Sequence, residues 1–138
     1  MDTNSRDSII EIAMTWLNTK FHHAARVKDH GVDCVNFICA VYEESGMIPK
    51  VNLPYYPIDW FMHKGQEIFI DEIIKHCKEL ETPEKGDIVL YRFGRCYSHG
   101  AICLGDNRII HSYAPDKVTI DSMDRFSDRH PKYYQVNV

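Results

Sequence analysis

Apolar residues recur at helical spacing in three stretches of the chain. Ile9, Ile12, Ala13, Trp16 and Leu17 form a stripe that predicts a first helix from residue 5 or 6 to 18. Phe37, Ile38, Val41 and Tyr42 form a second, predicting a helix over 33–44 that is buried along one side and ended by Gly46 and Pro49. Phe69, Ile70, Ile73, Cys77 and Leu80 predict a third over roughly 65–80, with His76 and Cys77 structural or exposed. From Pro83 the pattern changes. Residues 86–93, 98–104, 108–113, 117–121 and 133–137 read as strands of a five-stranded antiparallel sheet with short turns. Helices first and a meandering sheet second make an α+β architecture, a single domain over 1–138.

Two stretches lack either period. Residues 21–30 are polar and basic and read as a loop. Its histidines, His22, His23 and His30, have no acidic or thiolate partner at ligand spacing, which speaks against a metal site. Residues 51–63 hold Pro54, Pro57 and four aromatics, Tyr55, Tyr56, Trp60 and Phe61. Such a run is an irregular, well-packed segment that either lines a groove or covers the core.

Composition narrows the function. A net charge of −4 argues against nucleic acid as a partner. Five cysteines are an odd count with no C-x-x-C spacing, so a disulfide scaffold is not expected and a reducing compartment suits synthesis. The N-terminal residues lack a basic start and an apolar run, and no segment has the length of a membrane span. The expectation is synthesis in the cytoplasm without a signal peptide and without membrane insertion.

The candidate chemistry centres on Gly31-Val-Asp-Cys-Val-Asn-Phe37. Asp33 suits the N-cap of the second helix, since its carboxylate can accept amide protons of the first turn. Cys34 then lies in that turn, where the helix dipole favours a thiolate. The alternative is a cysteine that packs as a small hydrophobe. Two strand histidines, His99 and His111, flank the turn Gly105-Asp106-Asn107. If all three residues form the loop, Ala101 pairs with His111, and His99 becomes a diagonal neighbour of His111 on one face. A two-residue loop puts the rings on opposite faces. In the first case His99 can act as general base toward Cys34, with His111 holding its second ring nitrogen. Cys96, His99, Cys103 and His111 as a zinc site is the rival, disfavoured by a spacing that holds no compact knuckle.

Asp33-Cys34-Val-Asn-Phe37, Pro83 to Tyr91, Ser98-His99-Gly-Ala-Ile102 and Ile109-Ile-His111 together resemble the NlpC/P60 cysteine peptidases, in that family's order of cysteine, histidine and third polar residue. His30 to Cys34, Tyr56 to Trp60 and Arg92 to His99 resemble its phage-tail and prophage branch. The resemblance implies a papain-like core, with Cys34 as nucleophile, His99 as base and His111 as orienting residue. It implies cleavage of peptidoglycan stem peptides, commonly between D-glutamate and a diamino acid, with no metal or cofactor. Phage-tail or injection-machine proteins are the implied partners, and delivery or lysis the route to the wall. Phe21 stands near a position where many members carry tyrosine, which leaves the second oxyanion donor unassigned. Val35 follows the cysteine where many members have serine. Arg26, Arg92 and Arg95 stand near the site in an otherwise acidic chain, and arginine binds carboxylates bidentately. Arg95, with Trp60 and Tyr97, is therefore the expected substrate contact. An amide or acyl hydrolase on another substrate, or a silent tail protein, remains the alternative, because a fold does not fix function.

Overall fold

The computed structural model describes residues 2–23, 25–48, 75–94 and 96–136. The predicted segment 51–63 and most of the predicted third helix lie outside the described residues.

Helix α1 spans Thr3–Met14, starting earlier than the apolar stripe because Asp2 caps it, accepting the Ser5 amide at 2.8 Å. Beyond Met14 the hydrogen bonds tighten to i→i−3, and Asn18, at φ 71°, ends the run. Trp16 stays buried in that tightened end.

The expected loop over 21–30 carries the first strand of a small hairpin, β1 (Arg26–Val27), whose partner β2 (Gly31–Val32) follows it directly. Arg26 pairs with Val32 and Val27 with Gly31, around a turn in which Asp29 takes φ 67°. Two-residue strands carry too few positions for a period, so the pattern could not show them. Gly31 packs against His22: a Cβ here would stand 2.7 Å from the His22 Cβ. The hairpin aims the chain into Asp33, the N-cap of α2 (Cys34–Glu44), whose carboxylate accepts the Asn36 amide at 2.9 Å.

Helix α2 is not buried on one side only. From Cys34 to Tyr42 every residue except Asn36 is buried. It is the central element, with α1 against it and a sheet beneath. The Tyr42 hydroxyl donates to the Gly86 carbonyl, and the Arg26 guanidinium pairs with Glu43, tying α2 to the sheet and to the hairpin.

Among the described residues six strands form the main sheet: β3 (Cys77–Leu80), β4 (Ile88–Phe93), β5 (Cys96–Gly105), β6 (Arg108–Ser112), β7 (Val118–Ser122) and β8 (Lys132–Val136), in the order β3-β8-β4-β5-β6-β7. All its neighbours are antiparallel. The five predicted strands are present. The sixth, β3, replaces the end of the predicted third helix: Cys77 pairs with Val136 and Leu80 with Tyr133. The edge of β8 offers a ladder that overrides the local helical spacing of Cys77 and Leu80.

Alternation along the strands separates two cores. Ile88, Leu90, Ile102 and Ile110 face α1 and α2. Val89, Tyr91, Ala101, Cys103 and Ile109 face the other way, where Phe126, from a 3₁₀ turn over Met123–Phe126, packs on them. At the start of β4, buried Asp87 meets the Arg6 guanidinium at 2.9 Å and fastens α1 to the sheet.

Candidate active site

The hairpin between β5 and β6 decides where the two histidines point. Asp106 and Asn107, at φ 52° and 60°, form a two-residue turn, so Gly105 pairs with Arg108. A bulge at Leu104 then restores the register, and Cys103 pairs with Ile109. Continued along the strands, that register sets Ala101 opposite His111, as a three-residue loop would. The expected face is reached by a turn plus a bulge.

His99 and His111 consequently meet. His99 Nε2 lies 2.8 Å from His111 Nδ1. His111 Nε2 lies 2.8 Å from Asp121 Oδ2, on β7, and the same oxygen accepts from Arg125 Nη1 at 2.6 Å. Asp121 pairs with Ile109 and Thr119 with His111, so Asp121 is diagonal to His111 on the shared face. Three strands thus carry a staircase of His99, His111 and Asp121. Asp121 and Arg125 were not among the residues the sequence singled out. The usable signal was parity: Asp121 follows Thr119 by two in the strand after His111.

The staircase is walled by aromatics. Tyr91 stacks near the His99 ring, and Phe93, Tyr113 and Phe126 meet it edge-on. Burial, then the His111 and Arg125 charges, hold His99 well below the usual imidazole range. Burial also lowers His111, against the pull of its bond to Asp121. Asp121 is raised by burial but lowered more by its bonds to His111 and Arg125, so it stays a carboxylate. Both rings are neutral at pH 7.

Cys34 approaches β5 from the α2 side. Its thiol donates to the Ser98 carbonyl at 3.5 Å. Ser98 is the unpaired residue of a second bulge, between the pairs His99–Tyr91 and Tyr97–Arg92. Burial and the Asp33 charge push the Cys34 thiol up to about 12, against backbone amides of Gly100, Val35 and Cys34 that favour the thiolate. This corrects the expectation from the helix dipole: burial outweighs it, and the resting form is the neutral thiol. Among the described residues the thiol's hydrogen-bond partner is the Ser98 carbonyl, not the His99 ring. The imidazole belongs to the aromatic face of the sheet, and the thiol to the α2 face.

The other expected site residues divide. Tyr97 is buried on the α2 face; its hydroxyl donates to the His130 carbonyl at 2.8 Å and its ring lies under Lys132. That hydroxyl is engaged in packing the strand. Arg95 and Trp60 lie outside the described residues. Phe21 bridges to Val32, two residues before Cys34. Of the two other arginines, Arg26 is paired with Glu43, while Arg92 is exposed near the β4 end.

A helix with Cys34 in its first turn, set against an antiparallel sheet with a histidine pair, defines an α+β, papain-like core. The chain belongs to the NlpC/P60 family, whose model matches residues 18–135. Among solved structures it is similar to the NlpC/p60 domain of the peptidoglycan hydrolase SagA, at 19% identity and TM-score 0.65, covering 96% of this chain and 98% of that one. A lipoprotein-like NLP/P60 protein from Staphylococcus aureus matches at 20% identity and TM-score 0.71, over 100% of this chain and 43% of that one. RipD from Mycobacterium tuberculosis, described as a non-catalytic NlpC/p60 protein adapted to peptidoglycan binding, matches at 17% identity and TM-score 0.66, over 96% and 97%. The chain therefore spans nearly all of the SagA domain and of the RipD chain but less than half of the staphylococcal chain. No curated protein sequence matches significantly.

Proposed function

We propose that this chain is a cysteine hydrolase of peptidoglycan stem peptides, with Cys34 as nucleophile, His99 as general base and His111 as its orienting partner. The observation that carries the reading is the 2.8 Å bond between His99 and His111 on the strand whose backbone the Cys34 thiol touches. Membership of the NlpC/P60 family supports it, as does the likeness to SagA, named a peptidoglycan hydrolase.

The chemistry follows from the protonation states. The thiol rests neutral, so its proton must be taken during attack. Attack requires a rearrangement of the resting site: the thiol must leave the Ser98 carbonyl on the α2 side, and His99 Nδ1, the ring nitrogen that His111 does not occupy, must come within its reach. Sulfur then bonds to the carbonyl carbon, and the oxyanion is stabilised by the Cys34 amide together with a further donor. Collapse breaks the C–N bond as His99 returns the proton to the leaving amine. Water, deprotonated by the same ring, hydrolyses the thioester and restores the thiol. The bond between D-glutamate and a diamino acid is the proposed target, and delivery by a phage tail, an injection machine or lysis is the proposed route from the cytoplasm to the wall.

The second reading is a wall-binding or tail protein with a silent site. The thiol's bond to Ser98 and its rise to about 12 favour it, as does the likeness to RipD. An acyl or amide hydrolase on another substrate is the third. Mass spectrometry of purified peptidoglycan after incubation with wild type and with Cys34→Ala separates them. New stem fragments from wild type alone are expected, and their masses name the bond. Fragments from both proteins would remove Cys34 from the mechanism; wall binding without fragments would favour the silent site.

A further inference from the structure

The staircase continues past the two histidines, and its far end determines what its near end can do. We propose that Asp121, held by Arg125, is a positioning residue that fixes the tautomers of both histidine rings, so that His99 presents a bare Nδ1.

Proton bookkeeping along the three bonds leaves one arrangement. Asp121 is ionised, and a carboxylate only accepts. His111 Nε2, 2.8 Å from Asp121 Oδ2, must therefore carry the proton of a neutral ring. Its Nδ1 is then bare and accepts. His99 Nε2, 2.8 Å from that Nδ1, must donate, so His99 carries its proton on Nε2. Nδ1 of His99 is left as the lone-pair nitrogen. Without Asp121 the chain of bonds works equally well reversed, with protons on both Nδ1 atoms, and His99 then has no lone pair to offer there.

Arg125 makes the device dependable. Its guanidinium donates to the same Oδ2 at 2.6 Å and lies over the Tyr113 and Phe126 rings, which also wall the histidines. Asp121 is thereby held at one end of the pair and kept ionised beside a buried ring. The role goes beyond the proposed triad, in which His111 is the last member. Its catalytic consequence rests on the hydrolase reading; the tautomers themselves do not.

Nitrogen-15 NMR of histidine-labelled protein, at a pH where both rings are neutral, reads each ring nitrogen directly. Wild type is expected to show Nε2 protonated and Nδ1 bare in both His99 and His111. Asp121→Ala is expected to mix the two tautomers in both rings. Asp121→Asn, whose carbonyl oxygen Arg125 can hold toward His111, is expected to keep the wild-type pattern and to serve as the folded control. A proton on His99 Nδ1 in wild type, or an unchanged pattern in Asp121→Ala, would overturn the proposal. Because no turnover is needed, the result is independent of whether wild type cleaves peptidoglycan. If it does, Asp121→Ala should lower kcat roughly a hundredfold with KM little changed, within the span attributed to a correctly placed base.

Discussion

The Cys34 thiol donates to the carbonyl of Ser98, 3.5 Å away and one residue before His99 in β5. The thiol thus rests on the backbone of the strand that carries His99. Helix α2 and the bulge at Ser98 set that contact together: the hairpin β1–β2 delivers Cys34 to the helix end, and the bulge turns the carbonyl toward it.

A parked, buried thiol should react slowly. Iodoacetamide should modify Cys34 much more slowly than an unfolded-chain cysteine at neutral pH, with a rate that climbs toward the thiol's pKa of about 12. Peptide mapping of the alkylated protein across alkaline pH checks this. Rapid labelling at pH 7 would show that a thiolate is already present.

The same shift makes a stability prediction with a definite sign. Folding raises the Cys34 pKa from its ordinary value of 9.0 to about 12, so the folded state holds the proton more tightly. Its contribution is full below pH 9 and declines as pH rises toward 12. The gap in Tm between wild type and Cys34→Ala should therefore shift against wild type over that interval. A gap constant with pH would contradict it.

Arg6 is the counter-charge of a fully buried carboxylate. Burial raises Asp87, offset only in part by the Glu84 amide and by Arg6, whose Nη1 also reaches the Lys85 carbonyl at 2.7 Å. Arg6→Ala leaves the Asp87 carboxylate without its counter-charge, with the Glu84 amide still donating to it at 2.8 Å, and should cost about 3 kcal/mol in urea unfolding. Adding Asp87→Asn should recover part of the loss, because the stranded charge is gone. A loss below about 0.5 kcal/mol, the surface-substitution range, would show that the pair is not a structural fastening.

Much of this architecture could be read from the chain, and the limits have physical causes. The boundaries of α2 were legible because Asp33, the apolar spacing and Gly46, at φ 77°, are all local signals. The five strands were legible because their alternation faces two cores. Strand β3 was not, since its pairing with β8 joins residues more than fifty apart and its own spacing reads as helix. The histidine register was legible only as a choice between two loops, and a bulge at Leu104 settled it. Asp121 escaped because a single carboxylate at a strand end acquires meaning only from its diagonal partner. The placement of Cys34 depended on a bulge at Ser98 that no spacing rule foretells.

Gly31 allows a test of how the hairpin presents Cys34. A Cβ there would meet the His22 Cβ at 2.7 Å, an atom that every residue but glycine carries. Gly31→Ala should therefore cost about 1–3 kcal/mol, the range for overpacking. His22→Ala should not relieve it, because the clashing atom remains, whereas His22→Gly should. If His22→Ala rescues as well as His22→Gly, the conflict lies further out on the imidazole and the backbones are not in the close approach described.

The two histidines should separate kinetically under the hydrolase reading. Removing the base outright, in His99→Ala, should lower kcat/KM on stem peptides by about 10²–10⁴-fold. His111→Ala leaves the base but frees its Nε2 and ring orientation, so its loss should be smaller, roughly 10²-fold, and confined to kcat. His111→Gln can offer a carbonyl oxygen where Nδ1 stood 2.8 Å from His99, and should recover part of that loss. Steady-state kinetics of the three variants on one stem peptide checks the order. Equal losses in His111→Ala and His99→Ala would mean that both rings move the proton. A His111→Ala variant as fast as wild type would mean that the aromatic wall of Tyr91, Phe93 and Phe126 alone orients the base.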